Sequence, residues 1–468
     1  MSEDAPKSVL PQNKLTRRKY LQYTTAGIAT VAVAGLGYLL STPAANFDYK
    51  PKDINPSSAD TVQFLNKSQT LDGTEIGLSY SWYVDEKIVA STRDFSTQLS
   101  SNSIGTQHRV RLSTCRGGLC GHSEKVVEVD PENDPDYPVQ SFPDIRIKGV
   151  CYDAGTYYGP GADSTRRFIT TERIEHEILD IANKELSCNG IRIYGSDNDR
   201  LLQCAEIATR GRFDVIALSP RYINADVDTT VTRVGEFASK CRELYRTNQH
   251  VSIIVANEAT LDTRGFFEGD TLVDRNFNVG KEMSRTEWQG PLQEFLRRLV
   301  QECRNVGFEG PLSYATPFWE RELPLDQFGF AYISDNHYWF SWLTEDDYVR
   351  NIVELNRFAI PYYMTEFGSV TFEGAHDYGG GGWHDYEGKK YSQQSQAESV
   401  RKYMDLFKKA ISAGARIDAC FWYNLADANA NERDIESFAL LKLNSRNQDN
   451  RYSRKKSFYA YKSYQRTA

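Results

Sequence analysis

The sequence lacks the short motifs that most simply reveal a metal site or a reactive nucleophile. No C-x-x-C pair occurs among its eight cysteines, so neither a zinc ribbon nor a thioredoxin-type motif is predicted. His176 and Glu177 are adjacent, but no second histidine follows at the spacing of a zinc metalloprotease. The G-x-S-x-G elbow and the phosphate-cradling G-x-x-x-x-G-K loop are both absent. We therefore expect a function that needs neither a metal nor an organic cofactor.

An excess of positive charge is absent as well. Lysine and arginine number 55 against 63 acidic residues, which gives a net charge of −8, and no dense basic cluster interrupts this balance. These values argue against a nucleic-acid partner. Hydrophobic residues are 40% and charged residues 25% of the chain, as in ordinary globular proteins. Because 468 residues are too many for one ordinary core, two domains after a leader are predicted.

Long apolar runs are missing except near the N-terminus. Arg17 and Arg18 precede an apolar, small-residue run over 26–40, and this arrangement resembles a twin-arginine export signal. A helix of that run would measure about 22 Å at ~1.5 Å per residue, less than a bilayer core of ~30 Å. This favours a signal peptide, although extending the helix back to Tyr20 leaves a membrane anchor as an alternative. We expect residues 1–45 to form the signal or anchor, and an extracellular or cell-surface protein.

The segment that follows the leader has the pattern of a small all-β domain. Residues 46–60 are polar and contain proline, as a linker does, whereas residues 61–130 form short runs of period two. His108, Val110 and Leu112 alternate with arginines, which is typical of half-buried antiparallel strands. Trp82 lies in the middle of a candidate strand. The segment resembles immunoglobulin-like or polycystic-kidney-disease-type modules, and the resemblance implies a β-sandwich.

The eight cysteines fall into two groups. Cys115 and Cys120 flank the sequence RGGL in a candidate hairpin, where a short disulfide could close after export. The other six are scattered over candidate strands and helices, and we interpret them as small buried hydrophobic residues.

The remainder of the chain alternates strand-like and helix-like segments. The Pro- and Asp-rich stretch 131–144 is the predicted domain boundary. Beyond it, Ser395 and Glu398 form a capping-box pattern that predicts the start of one helix. The candidate strands are apolar on both faces, as in a covered parallel sheet; they are 147–153, 190–196, 213–220, 251–258, 311–317, 330–339, 360–368 and 416–424.

Eight such units predict an α/β fold, a closed (β/α)8 TIM barrel over residues 145–468. The alternative, a doubly wound open sheet, requires a phosphate-binding glycine turn after the first strand. The sequence CYDAGTYYGPG contains glycines at that place but not at the required spacing.

In a barrel of this kind, side chains at the carboxyl ends of the strands meet at one mouth. Two of them are glutamates that end apolar strands, Glu258 and Glu366. The other strand-end residues are Tyr152, Asp153, Arg192, Tyr194, Asn257, Asn336, His337, Tyr338, Trp339, Trp422 and Asn424. Two carboxyl groups across one pocket suit the acid/base and nucleophilic steps of glycosidic bond cleavage.

The neighbours of the glutamates fit the same chemistry. The acid must retain its proton near neutral pH, while the nucleophile must stay ionised, and Arg192 would supply the positive charge beside it. His337 or Tyr338 would donate hydrogen bonds to that nucleophile. Asn257 suits a hydrogen bond to the sugar 2-hydroxyl, and Trp422 offers a flat surface for stacking.

The order of these residues resembles the large clan of retaining (β/α)8 glycoside hydrolases that contains cellulases, mannanases and β-1,3-glucanases. The resemblance is carried by RIY on the second strand, NE on the fourth, HYW on the sixth, TEFG on the seventh and FWY on the eighth. It implies that Glu258 is the acid/base and Glu366 the nucleophile. It also implies sugar contacts from Arg192, Asn257, His337, Tyr338 and Trp422, and a polysaccharide or oligosaccharide substrate.

Two alternatives remain open at the level of sequence. A transglycosylase would use the same scaffold, since only the acceptor differs. A non-catalytic surface protein would bind glycan without turnover.

Overall fold

The computed structural model describes residues 43–50, 62–69, 75, 77–99, 106–129, 134–159, 164–167, 169–380, 388–427, 437–443 and 452–466. Residues 1–42 of the predicted signal or anchor lie outside these ranges. Within them, none of the helices is both long enough and apolar enough to cross a bilayer.

Two antiparallel sheets form the first part of the molecule. Their strands are β1 (Phe47–Lys50), β2 (Val62–Asn66), β3 (Ser79–Val84), β4 (Lys87–Ala90), β5 (Phe95–Thr97), β6 (Thr106–Arg116) and β7 (Leu119–Val129). The sheets have the orders β1-β2-β5 and β4-β3-β6-β7. Phe64 and Trp82, from different sheets, pack in one core with their ring centroids 5.9 Å apart. This confirms the predicted β-sandwich, and the immunoglobulin-like relationship stays a prediction.

The sandwich begins earlier than the sequence pattern indicates. Strand β1 lies inside the predicted linker 46–60 and pairs with β2, and its Phe47 and Tyr49 are buried in the sandwich core. Four residues with only two inward side chains are too short a run to stand out from a polar segment.

The longest hairpin of the sandwich carries the predicted disulfide. Gly117 and Gly118 connect β6 to β7 with φ values of 57° and 85°, the left-handed conformations that a tight two-residue hairpin turn requires. Cys115 and Cys120 face each other across this turn and are bonded. The other six cysteines are buried free thiols, in agreement with their interpretation as small core residues.

Eight parallel strands close into a barrel and confirm the predicted fold. They are β9 (Ile147–Asp153), β10 (Gly190–Gly195), β11 (Val215–Pro220), β12 (Val251–Asn257), β13 (Leu312–Thr316), β14 (Ile333–Asn336), β15 (Tyr362–Phe367) and β16 (Ala419–Trp422). Before the barrel comes β8 (Gln140–Ser141), and after it come β17 (Leu441–Leu443), β18 (Tyr452–Arg454) and β19 (Tyr464–Gln465). Strand β8 pairs with β19, so the stretch 134–144 is attached to the barrel.

Helices cover the outside of the barrel or, like the four-residue α4, follow a strand directly at the mouth. They are α1 (Thr171–Glu175), which continues as a π-helix over His176–Glu185, then α2 (Asn198–Ala208), α3 (Val227–Thr247), α4 (Ala259–Asp262), α5 (Leu272–Glu282), α6 (Gln289–Asn305), α7 (Glu345–Glu354), α8 (Ala375–Tyr378), α9 (Gln393–Ser412) and α10 (Lys456–Ser463). The fifth unit, described throughout, connects β13 to β14 by the 3₁₀ turns Phe318–Glu320 and Leu325–Gln327 in place of an α-helix.

Large side chains fill the barrel interior beneath the mouth. Phe421 of β16 lies across the interior, and a Cβ atom on Gly149 would come within 2.3 Å of its ring. A Cβ atom on Gly190 would meet the same ring at 3.0 Å. These two glycines therefore make room for a large aromatic residue beneath the mouth.

Candidate active site

Glu366 lies within β15 and is held by two donors. Arg192 Nη1 is 2.6 Å from its Oε1, and the Tyr338 hydroxyl donates to its Oε2 at 2.8 Å. A guanidinium and a hydroxyl on the two oxygens both favour the ionised carboxylate. Both oxygens of Glu366 thus accept hydrogen bonds, and the carboxylate is held in one orientation at the mouth.

Arg192 is the centre of this arrangement. Its side chain is fully buried, and Nη1 also donates to Asn336 Oδ1 at 3.3 Å, while Nη2 donates to Asn257 Oδ1 at 2.6 Å. Burial by itself lowers the pKa of Arg192, but the charge of Glu366 outweighs it, and the pKa lies above its ordinary value. Because no part of Arg192 is exposed, it orients Glu366 and Asn257 and does not contact a ligand itself. This differs from the sequence prediction, which makes Arg192 a sugar contact.

Asn257 is the last residue of β12 and is oriented by two bonds. Its Oδ1 accepts from Arg192 and, at 3.1 Å, from Asn336 Nδ2. No residue of the described ranges accepts a hydrogen bond from its Nδ2, which is therefore available as a donor at the mouth.

Glu258 is chemically the opposite of Glu366. Glu258 is partly exposed as a residue, although protein surrounds its carboxyl group, and Asn336 Nδ2 donates to its Oε1 at 3.0 Å. Burial of its carboxyl group, then repulsion from Glu366 and from Asp262, raises the pKa of Glu258 from 4.5 to about 8, against the opposing effects of Asn336 and Arg221. Glu258 is therefore a neutral acid near pH 7, one amide away from the ion pair of Arg192 and Glu366.

The backbone at Glu258 is strained. Its φ of 39° and ψ of 59° are left-handed, a conformation that residues with a side chain seldom adopt. The register of β12 against β13 shifts just before it, between Ile254 and Asn257. This irregularity ends the strand and starts α4, so the Glu258 side chain is aimed at the mouth.

Hydrogen bonds on one side of α4 hold that conformation. Ala259 N donates to the Tyr314 hydroxyl at 2.8 Å, and Thr260 donates to Glu320 Oε1 from both N (3.2 Å) and Oγ1 (2.6 Å). Tyr314 in turn donates to Glu320. Burial raises the pKa of Glu320 to about 7, in spite of these donors.

An ion pair holds the other side of α4. Asp262 N donates to Glu258 O at 2.9 Å, and the Asp262 carboxylate accepts two bonds of 2.9 Å from Arg221. Arg221 directly follows β11, so this pair connects the end of the third barrel strand to the turn after the fourth. Together with Glu320, it keeps the strained Glu258 in place.

Two of the predicted sugar contacts do not point to the two glutamates. His337 is buried with Nδ1 at 2.7 Å from Asp335 and 2.8 Å from Arg321, and its ring meets Tyr348 of α7. Burial and Arg321 lower the pKa of His337 to about 4, against the effect of Asp335. Side chains alternate along a strand, so His337 points outward while its neighbours Asn336 and Tyr338 point to the mouth.

The predicted role of Trp422 as a stacking surface is wrong for the same reason. It is fully buried on the outer face of β16, where its ring packs edge-on against Phe367 and its Nε1 donates to Phe438 O at 3.1 Å. The flat surface at the mouth comes from Tyr423, which stacks on Tyr194 with the ring centroids 5.7 Å apart. The alternation Ala419, Phe421, Tyr423 along the strand would have identified it.

Asp153 and Tyr152, named among the strand ends, do not join the two glutamates. Asp153 is buried and accepts from Gly155 N at 2.8 Å and from the Thr156 hydroxyl at 3.0 Å. Tyr152 points outward and donates to Glu177 at 2.8 Å. No group of three or more potential metal-ligating side chains occurs within the described ranges.

Comparisons with known proteins give fold-level similarity only. No family model matches the chain, and no curated protein does. Similar solved structures include an FMN-binding β-glucuronidase from Facaelibacterium prausnitzii L2-6 (16% identity, TM-score 0.43), a β-glucuronidase from Ruminococcus gnavus in complex with uronic deoxynojirimycin (11%, 0.44) and a β-glucuronidase from Parabacteroides merdae (12%, 0.44). Each match covers 90% of this chain but 61%, 67% and 52%, respectively, of the other. At these values the function rests on the geometry of the site.

Proposed function

We propose that this protein hydrolyses β-glycosidic bonds in polysaccharides or oligosaccharides by a double displacement with net retention. The observation that carries the proposal is the pair of glutamates with opposite surroundings at one barrel mouth. Glu258 holds a proton near neutral pH, since its pKa is about 8, and Glu366 is paired with Arg192 and Tyr338. One proton donor and one anionic nucleophile are what a retaining glycosidase requires.

In the first step, Glu366 attacks the anomeric carbon while Glu258 gives its proton to the leaving oxygen. The bond to the leaving group breaks, and a glycosyl ester of Glu366 forms. Arg192 and Tyr338 keep the attacking carboxylate oriented, and Asn257 Nδ2, which has no acceptor within the described ranges, is placed to bond the sugar 2-hydroxyl.

In the second step, Glu258 is ionised and acts as a base. It removes a proton from water, the resulting hydroxide attacks the anomeric carbon, and the ester to Glu366 breaks. Glu258 is then protonated again, and both carboxyl groups return to their starting states. The step involves no metal or organic cofactor.

The full-length protein would be assayed with β-1,3- and β-1,4-glucans, mannan and nitrophenyl β-glycosides of neutral and acidic sugars. The variants Glu258→Gln and Glu366→Gln are expected to lose turnover. Glu373→Gln, the same substitution at an exposed position seven residues after Glu366, is the matched control and should keep it.

The anomer formed first, followed by NMR, tests the mechanism. A β-anomer supports double displacement, and an α-anomer contradicts it. Products longer than the substrate would support the transglycosylase alternative. Binding of glycan without turnover by the parent would support the glycan-binding alternative.

We also propose that the protein is exported through its N-terminal segment. Replacing Arg17 and Arg18 with lysines keeps the charge but removes the twin-arginine pair. The variant is expected to remain inside the cell in fractionation experiments, while the parent is found outside the cytoplasmic membrane or attached to it. Equal export of both would contradict the proposal.

A further inference from the structure

A cleft of about 230 Å³ adjoins the candidate active site on the side of the fifth and sixth barrel strands. It lies between the segment that follows β13 and the segment that follows β14, and α7 forms its far wall. The fifth unit has two 3₁₀ turns in place of an α-helix, so this sector of the barrel is less covered than its neighbours. The cleft is thus a consequence of the fold.

A row of three aromatic rings lines the upper part of the cleft. The ring centroids of Phe318 and Phe340 are 5.6 Å apart, and those of Phe340 and Trp342 are 4.4 Å apart with the planes inclined by only 13°. Trp342 is 65% exposed. An indole that remains so exposed while stacked on a second ring presents a rigid flat face to a ligand.

Residues of the cleft and their chain neighbours connect it to the surroundings of both glutamates. Tyr338, whose hydroxyl donates to Glu366, lines the cleft. Phe318 precedes Trp319, whose Nε1 donates to Thr260 Oγ1 at 3.0 Å, and Thr260 belongs to the turn after Glu258. Since Glu258 gives its proton to the leaving oxygen, the side of the mouth next to its turn is the side on which the leaving group departs.

The polar part of the wall suits uncharged sugars. Arg321 is paired with Asp335, and Arg357 lies 3.9 Å from Glu322, while Glu354 adds a further carboxylate. These groups supply donors and acceptors for hydroxyls, but they leave no net positive charge to attract an anionic chain.

We propose that this cleft binds the part of a neutral glycan that extends beyond the cleaved bond, with the sugar rings lying over Phe318, Phe340 and Trp342. The inference rests on the proposed function and adds the substrate class: an uncharged chain with at least two units on the leaving-group side. A nitrophenyl glycoside has no sugar unit on the leaving-group side, so it tests the glutamates without the sugar contacts of the cleft.

The test compares long and short substrates in Trp342→Ala and Phe340→Ala. Neutral oligosaccharides of two to six units, from the polysaccharide that the parent cleaves, are assayed beside the nitrophenyl glycoside of the same sugar. We expect kcat/KM to fall about tenfold for oligosaccharides with two or more units beyond the cleaved bond, and to stay unchanged for the nitrophenyl glycoside. Trp342→Phe retains a flat ring and should restore most of the loss.

Ile88→Ala is the control, because Ile88 is 68% exposed but lies in the β-sandwich. It should leave kcat/KM unchanged on both the oligosaccharides and the nitrophenyl glycoside. Equal losses on long and short substrates in Trp342→Ala, or no loss on either, would overturn the inference and leave the proposed function standing. If the parent protein cleaves only nitrophenyl glycosides, the inference is likewise overturned and the proposed function stands. A parent without turnover on any substrate overturns both.

Discussion

The ends of β12 and β15 place the same side chain at the same mouth and give it opposite properties. At β15 the glutamate lies within a strand, and a guanidinium and a hydroxyl satisfy its two oxygens. At β12 the glutamate follows the strand in a left-handed conformation, and its hydrogen bond to a side chain comes from the neutral amide of Asn336.

The difference shows that the role of a carboxyl group depends on which charge stands beside it. Arg192 donates to Glu366 and to two amides, and the amide of Asn336 stands between it and Glu258. Arg221, the other nearby cation, is largely neutralised by Asp262. Glu258 thus faces burial and a negative neighbour without a cation of its own, and it keeps its proton.

The largest expected effect separates the two glutamates by their products. Glu366→Ala and Glu258→Ala should each slow turnover of glycans, by roughly 10⁴-fold for the nucleophile and about 10² to 10⁴-fold for the acid. Azide should restore part of the activity on nitrophenyl glycosides in both. In Glu366→Ala, azide replaces the nucleophile and gives an α-glycosyl azide. In Glu258→Ala, it attacks the glycosyl ester and gives a β-glycosyl azide.

NMR of the azide products reads this difference directly. The same anomer from both variants would show that the roles are not divided as proposed, and exchanged anomers would reverse the assignment. Glu373→Ala, without a change in rate or product, controls for the loss of a carboxylate at the exposed surface near β15.

A smaller loss is expected from removing the charge beside Glu366. Arg192→Met should lower kcat by about 10² to 10³-fold, because the nucleophile loses its counter-ion and Asn257 loses one of its two orienting bonds. The measurement is kcat with the folded state verified by thermal unfolding. Tyr338→Phe removes one neutral donor from the same carboxylate and should cost only about tenfold. Equal effects of both variants would contradict the central place given to Arg192.

The sequence predicted the barrel because most of its strands are apolar on both faces and alternate regularly with helical segments, although β14 has the polar sequence ISDN. All eight were found within the predicted segments. Helix boundaries were predicted less accurately where a second candidate N-cap lies nearby. Ser395 was expected to start a helix, but Ser392 caps it, and its side chain accepts from Ser395 N at 3.2 Å. Only Ser395 has a glutamate three residues later, whereas Ser392 has a serine there, so the capping-box pattern pointed to the wrong serine.

The candidate site was predictable in its carboxylates and less so in their partners. Glu258 and Glu366 end apolar runs, which makes them visible. Asn336, Arg221 and Asp262 act through contacts between different strand ends, and no spacing along the chain indicates which of them meet. His337 and Trp422 were misplaced because a residue type suited to sugar binding was given more weight than the alternation of the strand.

That correction gives a prediction of intermediate size. Trp422→Ala should destabilise the protein by about 3 to 5 kcal/mol, because it empties a buried site between the barrel and its helices. Tyr423→Ala should instead raise KM about tenfold through the loss of a flat surface at the mouth, with little change in stability. Denaturant unfolding and steady-state kinetics of both variants test this division. A large KM effect in a folded Trp422→Phe variant would contradict it.

The smallest expected effect is a shift of the pH profile. Glu258 must be protonated for the first step, so kcat/KM should fall as the pH rises through about 8. Asp262→Asn removes a negative charge near Glu258 and frees the charge of Arg221, and both changes lower the pKa of Glu258, so the alkaline limb should move down by about one pH unit. Arg221→Gln does the reverse and should move it up. The double variant should lie close to the parent, because the charges that these two residues add around Glu258 nearly cancel. If the alkaline limb of kcat/KM lies at the same pH in the parent and all three variants, a group other than Glu258 gives up the proton at alkaline pH.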